Sequence, residues 1–450
     1  MKKVLTIWMS VILLINLTGC GLSDFLKNKI GTEPEETSQE KCASVMLNAM
    51  TTWAGSDGGS AVYQKYIKQY MQETGNIIND YSGGYDEDFK QRVLMDFEVG
   101  GEPDVLFYFN GSDADPFVKA GKVVPVRTIQ EEFPDYASNL QESMFVPSGV
   151  DGEIYSVSIY GYWEGLFVNK RICEKAGVEV PGAETTWEEF LDICERIRQA
   201  GYTPIAASMA KEPHYWFEFA TYNQMSPQTH DRIPASMEEE TGAAWMNGFE
   251  DLIDLYEKGY FMENTLYTSA DESFQYFLDG KAAFFVDGSW KVGTILQKAD
   301  GVNDYSVTYV PGKGDRKATD IIGGFSSGWY ITKKAWDDPE KRKAAVEFIT
   351  YMTRDAVVSE FASVSLSATA LKNGEQYQAE DFCQLQKDAA LMLEQRTSIV
   401  PAVQDTISVR CRAPLFEGMP DILTGRVTLE TAFEEFFKLR EEESRGIVPE

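Results

Sequence analysis

Hydrophobic positions between residues 44 and 121 change period repeatedly, and each change marks an element. Val45, Leu47 and Ala49 alternate with other residues, which predicts a strand. After a Gly-Ser-Asp-Gly-Gly turn at 55–59, Val62, Tyr66 and Tyr70 fall four apart and predict a helix that Gly75 ends. Ile77 and Ile78 predict a short second strand. Phe89, Val93 and Phe97 give a second helix over 86–99 one apolar face, and Gly100-Gly101 stops it. Asp104-Val-Leu-Phe-Tyr-Phe109 is nearly continuous in apolar residues, as a strand buried on both faces requires. A further helix begins over 113–120 and ends at Gly121. Alternating strands and helices predict an α/β fold with a parallel, doubly wound sheet and right-handed crossovers. Ligands of such sheets sit beyond the carboxyl ends of the strands. Trp53 and Asp57 follow the first strand; Asn110, Ser112 and Asp113 follow the third.

Farther along, Thr185-Thr186-Trp187-Glu188-Glu189 forms a capping-box pattern ahead of Phe190, Ile193, Cys194 and Ile197 on one helical face. Helices are expected over 237–258, 339–352 and 428–439, and Phe274 to Leu278 close a short one. A strand is expected over 281–286, and the turn Asp287-Gly288-Ser289-Trp290 opens the next helix. No internal repeat is present.

The amino-terminal pattern is of another kind. Lys2 and Lys3 precede a mostly apolar run over 4–17, shorter than the roughly 20 residues a comfortable membrane span needs. Leu17-Thr18-Gly19-Cys20 resembles the lipobox of a bacterial lipoprotein signal. The resemblance implies that residues 1–19 are a signal peptide cut before Cys20, and that the Cys20 sulfur carries lipid. The protein would then be held at the outer face of the bacterial cytoplasmic membrane, extracellular or periplasmic. Residues 20–40 would be the lipidated cysteine and a flexible polar tether, reaching at most ~70 Å and averaging ~25 Å as a coil.

Composition narrows the classes further. Without residues 1–19 the chain keeps 431 residues, which suits two lobes better than one core. It carries 41 basic and 71 acidic side chains, so nucleic acid is excluded as a partner and a polyanionic ligand is disfavoured. The two histidines, His214 and His230, lower the expectation of zinc sites and of serine or cysteine triads. No metal or cofactor is expected. Beside Cys20 stand Cys42, Cys173, Cys194, Cys383 and Cys411, none in a Cys-x-x-Cys pair, and their odd number leaves both partial pairing and buried thiols open.

Three motifs carry a wider resemblance. Glu102-Pro-Asp104-Val-Leu-Phe107, with Gly101 before it, is similar to a "G-x-P-D-V" strand. The segment from Tyr155 to Lys170 is similar to a "Y-x-x-P…L-x-Y-N-K" crossover, with Ser158 where the pattern often has Pro. Phe277-Leu-Asp-Gly280-Lys-Ala-Ala-Phe-Phe-Val-Asp-Gly-Ser-Trp290 is similar to "F-x-x-G-x-A-A-M…G-x-W". Together they resemble the sugar-binding family of extracellular solute-binding proteins of ABC transporters, which includes maltose-binding protein. The resemblance implies a two-lobed periplasmic-binding-protein-like fold, each lobe a mostly parallel sheet flanked by helices, joined by hinge crossovers. Residues 41–155 with 303–350 would form the amino-terminal lobe, and 156–302 with 351–450 the carboxy-terminal lobe. Hinge closure around the ligand would be the working motion.

A sugar presents hydroxyls at its rim and C–H groups on its faces. A sugar cleft therefore needs Trp or Tyr beside Asp, Glu, Asn or Gln on loops. Trp53 with Asp57 meets that description, and so does a strand core with a helix cap. Asn110 with Asp113 meets it, as does an Asx turn with a cap. In Tyr160-Gly-Tyr162-Trp163-Glu164 adjacent aromatics face opposite ways, so one is core; Tyr162, Trp163 and Glu164 are the candidates. Trp290, by resemblance the family's sugar-stacking Trp, has Asp287 beside it. Trp216, Gly324 and Phe325 in the Gly/Ser segment 323–328, and Arg410 with its neighbour Arg412 complete the set. The 323–328 segment lacks the Gly-Lys-Ser/Thr ending of a phosphate loop.

The expected function is that of a lipid-anchored, monomeric capture protein for a carbohydrate, taken to be an oligosaccharide. It would deliver the sugar to the permease subunits of an ABC importer and catalyse nothing. A binder of another small polar solute, such as a glycerol phosphate diester, stays open, as do a cell-surface glycan-docking protein and a glycosidase. With so many acids, no carboxylate pair is singled out for hydrolysis.

Overall fold

The computed structural model describes residues 44–84, 87–211, 213–374 and 382–445. The expected signal peptide over 1–19, the expected lipidated Cys20 and tether over 20–40, and Cys42 lie outside the described residues. Ten strands occur among the described residues, in chain order: β1 (Met46–Thr51), β2 (Ile77–Asp80), β3 (Val105–Phe109), β4 (Tyr162–Asn169), β5 (Thr203–Ala206), β6 (Ala282–Gly288), β7 (Tyr305–Thr308), β8 (Asp320–Gly324), β9 (Ser327–Ile331) and β10 (Ser398–Val400).

The first sheet has the order β2-β1-β3-β9. β1 is parallel to β2 and β3, as the strand–helix alternation predicts, and β9 closes the edge antiparallel to β3. The helices Ser60–Thr74 and Glu87–Glu98 make the crossovers. Gly75 ends the first of them at φ 78°, a left-handed conformation that glycine adopts without a Cβ penalty. Leu47, Ala49, Val105 and Phe107 pack with Trp329 and Ile331 from β9 and with Val357, Val358 and Phe361 from the helix Asp355–Ser365.

The second sheet has the order β10-β8-β4-β6-β5, with β7 also on β4. It is mixed rather than mostly parallel. β5 runs parallel to β6 and β10 to β8, while β4 runs antiparallel to β6, β7 and β8. The reason is that β4 enters directly from the first sheet's side through the bridges Val157↔Trp329 and Tyr160↔Thr369, without a helical crossover to turn it round. From Trp163 to Asn169 the strand is buried throughout. The capping box at Thr186 and Glu189 is present and starts the helix Trp187–Gln199.

The lobe boundaries differ from expectation. Residues 303–350 do not all return to the first lobe, because β7 and β8 pair in the second sheet and only β9 onward rejoins the first. Conversely, the helix Asp355–Ser365 and Ala370-Leu371 stay with the first core. Connection between the sheets runs through 157–163, 323–329 and 366–371, which hydrogen-bond side by side: Gly161 N–H to Ala368 O at 2.8 Å, and Ala370 N–H to Ile159 O at 2.9 Å. No helix among the described residues is long and apolar enough to cross a membrane. Cys173, Cys194, Cys383 and Cys411 are free thiols.

Candidate functional site

The carboxyl ends of β1 and β3 face those of β6, β10 and the start of β4 across a cavity of about 90 Å³. From the first sheet come Thr52, Asp57, Phe107 and Phe109, with Glu87 and Lys90 at the start of a crossover helix. The connecting strands supply Tyr160, Tyr162, Glu164, Ser326 and Ser327. Trp290, Tyr215, Gln404 and Asp405 close the other side. Aromatic faces thus share one wall, with the Trp290 ring 6.2 Å from Tyr162 and 5.7 Å from Tyr215. Gly288 makes room for the indole: a Cβ there would lie 2.1 Å from the Trp290 ring.

The two layers touch around the cavity. Gly58 N–H donates to Trp290 O at 2.9 Å, and a Cβ on Gly58 would lie 2.8 Å from that oxygen, so only glycine permits the approach. Thr294 Oγ1 donates to Ser56 O at 2.7 Å, and Ser112 Oγ to Asp405 O at 2.8 Å. Deeper in, four charges from both layers are buried together. Arg412 grips Glu87 through Nη2 at 2.8 and 3.0 Å and reaches Asp113 at 3.1 Å. Lys90 Nζ lies 3.1 Å from Glu87 and 3.0 Å from Asp113. Burial drives the Glu87 pKa upward, yet Lys90 and Arg412 outweigh it and the carboxyl is lowered overall. Lys90 is raised, because Asp113 and Glu87 overcome burial and the repulsion of Arg412.

Three carboxylates on the cavity wall stand outside that balanced cluster. Burial raises Asp57 to about 7, against the Gly59 N–H and the charge of Lys291. Burial also raises Asp405 to about 7, against Lys90 and with Asp113 and Glu218 adding to the rise. Glu164 is pushed well above the ordinary range by burial and by the charges of Glu218, Asp405 and Asp287, and its Oε2 has no hydrogen-bond partner. The turn that presents Gln404 and Asp405 is pinned from behind. Glu218, fully buried, accepts the Val403 N–H at 3.0 Å and the Gln404 N–H at 2.7 Å while it pairs with His230 at 3.0 Å.

Of the residues singled out in the sequence, Asp57, Tyr162, Glu164 and Trp290 line the cavity. Trp53 does not: it stacks on Phe107 at 4.0 Å and Phe361 at 4.3 Å in the first core, and its indole N–H donates to Tyr160. Trp163 is core as well, with Nε1 bonded to Leu366 O at 3.2 Å. Trp216 packs against Phe190 and Phe261 and, with Tyr215, lines a small cavity that adjoins the main one. Asn110 is buried behind the wall and accepts from Tyr330 and Ser156. Asp113 belongs to the charge cluster. Asp287, raised to about 6 by burial against Lys291, lies beside Trp290 in an adjoining small cavity. Gly324 and Phe325 sit in the crossover just before Ser326; Gly324 pairs with Tyr162, and Phe325 packs on the first core. Arg410 points away and pairs with Glu442, whereas Arg412 is the arginine that enters the interface. Glu87, Lys90, Phe109, Gln404 and Asp405 were not anticipated. For Asp405, its place just past the carboxyl end of β10 was the available signal.

Residues 54–358 match the bacterial extracellular solute-binding protein family, and the chain belongs to it. It is a solute-binding protein for ABC import. Among curated proteins, the sn-glycerol-3-phosphate-binding periplasmic protein UgpB of Rhizobium meliloti (strain 1021) is 22% identical over 306 residues, covering 65% of this chain and 68% of that one. Among solved structures, a chitin oligosaccharide binding protein superposes with a TM-score of 0.75 at 23% identity, over 90% of this chain and 100% of that one. The maltose/maltodextrin-binding domain MalE from Bdellovibrio bacteriovorus, bound to maltotriose, gives 0.69 at 15% identity over 89% and 100%. These likenesses establish the fold: a mixed α/β, periplasmic-binding-protein-like architecture of two sheets flanked by helices.

Proposed function

We propose that the protein captures a neutral saccharide, an oligosaccharide by preference, in the cavity between its two sheets and hands it to the permease of an ABC importer. The observation that carries this reading is the cavity wall, where Trp290, Tyr162 and Tyr215 offer ring faces beside the hydrogen-bonding groups of Asp57, Glu164, Gln404 and Asp405. Rings suit sugar C–H faces; the carboxyl groups, held near neutrality by burial, can both donate to and accept from hydroxyls. The named likeness to oligosaccharide binders agrees with it.

A glycerol phosphate, named for the curated relative, suits this wall less well. Lys90, the cation that lines the cavity, is engaged by Glu87 and Asp113, so a phosphate would enter without a counter-charge of its own. Binding with hinge closure needs no reacting group, so the sugar should be returned unchanged. Lipid on Cys20 would hold the protein, acting as a monomer, near its permease at the outer membrane face.

A glycan array probed with the protein, followed by chromatography of the released ligand, tests the reading. Retention of one neutral oligosaccharide class, recovered intact, is the expected result. Hydrolysis products, or no glycan retained, would refute it.

A further inference from the structure

Glu218 is the single carboxylate of the helix His214–Tyr222, set among Trp216, Phe217, Phe219 and Tyr222 of the second sheet's core. It and His230 are both fully buried. Taking a carboxyl group out of water is costly unless hydrogen bonds replace the lost hydration. Here Oε2 pairs with His230 Nε2 at 3.0 Å and accepts the Val403 N–H at 3.0 Å, while Oε1 accepts the Gln404 N–H at 2.7 Å. The Tyr222 ring, stacked 4.3 Å from the imidazole, holds His230 in place. Glu218 thus takes the first two amides of the single helical turn Val403–Thr406, which a turn so short cannot satisfy itself. The amide before them, Ala402 N–H, donates to the Tyr162 hydroxyl at 3.0 Å. Three consecutive amides are therefore fixed by side chains from other parts of the chain.

The opposite edge of the turn meets both the cavity and the first layer. Gln404 and Asp405 line the cavity. Gln404 O accepts from Arg412 Nη1 at 3.1 Å, and Asp405 O accepts from Ser112 Oγ at 2.8 Å. Gly111, at φ 66°, comes so near that a Cβ on it would lie 2.8 Å from the same Asp405 oxygen. A small shift of the turn would disturb the ligand wall and this contact together. An apolar residue at 218 would leave two amides buried and unpaired. Gln would keep the size but not the acceptor pair, because its NH2 would meet a backbone N–H.

We propose that Glu218 is a positioning residue for capture: by fixing this turn it sets Gln404 and Asp405 at the ligand and the Asp405 carbonyl against Ser112. Ligand contact and closure of the layers then depend on one buried carboxylate that does not itself line the cavity. The proposal rests on the reading of that cavity as the solute site.

The test is a pair of double-mutant cycles read by titration calorimetry, at a temperature where every variant is folded. The probes are chito-, xylo- and malto-oligosaccharides and sn-glycerol 3-phosphate. Glu218→Gln should bind the probe that wild type binds about tenfold more weakly. Ser112→Ala should cost about fivefold in the wild-type background, as loss of one hydrogen bond does, and nothing further beside Glu218→Gln, where the turn has moved away. Thr294→Val, which removes the separate bond to Ser56 O between the layers, should cost the same factor in both backgrounds. A merely structural Glu218 would lower the melting temperature, leave affinity alone and make both cycles additive. Should Glu218→Gln fail to fold, Glu218→Asp, which keeps the charge and draws it back from the turn, carries the same cycles. Wild-type affinity in the position-218 variant, or an undiminished cost of Ser112→Ala beside it, would overturn the proposal. If sn-glycerol 3-phosphate alone binds wild type, the saccharide reading fails while the cycles still decide the role of Glu218. If no probe binds, the reading of the cavity and the proposal fall together.

Discussion

Replacing Arg412 by Met takes one charge out of a buried cluster while keeping much of the side-chain volume. In the native arrangement Arg412 and Lys90 balance Glu87 and Asp113, and Arg412 is 1% exposed. Its Nη1 also donates to the carbonyls of Gln404 and Ile407 at 3.1 and 2.8 Å. Breaking a buried ion pair by removing one partner costs about 3–5 kcal/mol. The electrostatic part of that cost falls on the closed arrangement, since Glu87 and Asp113 regain water when the layers part. At about 3 kcal/mol the closing equilibrium, and with it the apparent affinity for a ligand held between the layers, falls about a hundredfold. Loss of the two carbonyl bonds stays within one layer and should lower the melting temperature modestly. Charge balance supplies the control: adding Glu87→Gln leaves Lys90 paired with Asp113 alone, so the double variant should recover much of the affinity that Arg412→Met loses. Small-angle scattering should show the single variant more open than wild type and the double variant closed again on ligand. If Arg412→Met binds as tightly as wild type, or if Glu87→Gln deepens its defect, the cluster does not govern closure.

Trp290→Ala should weaken saccharide binding about thirty-fold, from roughly 2 kcal/mol of lost ring packing, with little change in the free protein's melting temperature; unchanged affinity in titration calorimetry would remove the indole from the site. Asp57 and Asp405 rise from 3.8 to about 7 on folding, so the folded protein holds the extra protons and stability should fall as pH rises from about 4 to 7, then level off. Asp57→Asn should flatten that slope in thermal melts across pH, and an unaltered slope would contradict the assignment. Cys20→Ala should release the protein from the membrane fraction or leave an unprocessed precursor; mature-sized protein still fractionating with lipid would rule out the anchor.

The first sheet was readable because its periodicities are local: Val45, Leu47 and Ala49 alternate, and Phe89, Val93 and Phe97 recur at helical spacing. The second was less so. β4 lies between strands from distant parts of the chain and is buried along nearly its whole length, so no alternation marks its direction. Among tryptophans the sequence could not separate platform from core. Trp53 and Trp163 sit in polar, glycine-flanked segments as Trp290 does, and only tertiary packing against Phe107, Phe361 and Phe167 shows them to be core. The helical pattern over 86–99 marks Phe89, Val93 and Phe97 alone, and nothing local marks Glu87 and Lys90; their partner Arg412 lies more than three hundred residues away. Arg410 and Arg412 are two apart on one helix and face different ways, a choice that helical spacing poses and only the packed structure resolves.

The chemistry of one cavity decides which solute the protein takes, and side-by-side calorimetry of two ligand classes tests that chemistry most directly. The protein titrated with sn-glycerol 3-phosphate and with neutral oligosaccharides under the same buffer should bind one oligosaccharide class and give no heat of binding with the phosphate. Tight binding of glycerol 3-phosphate with no response to any oligosaccharide would contradict the reading of Trp290, Asp57, Glu164 and Asp405 as a sugar site.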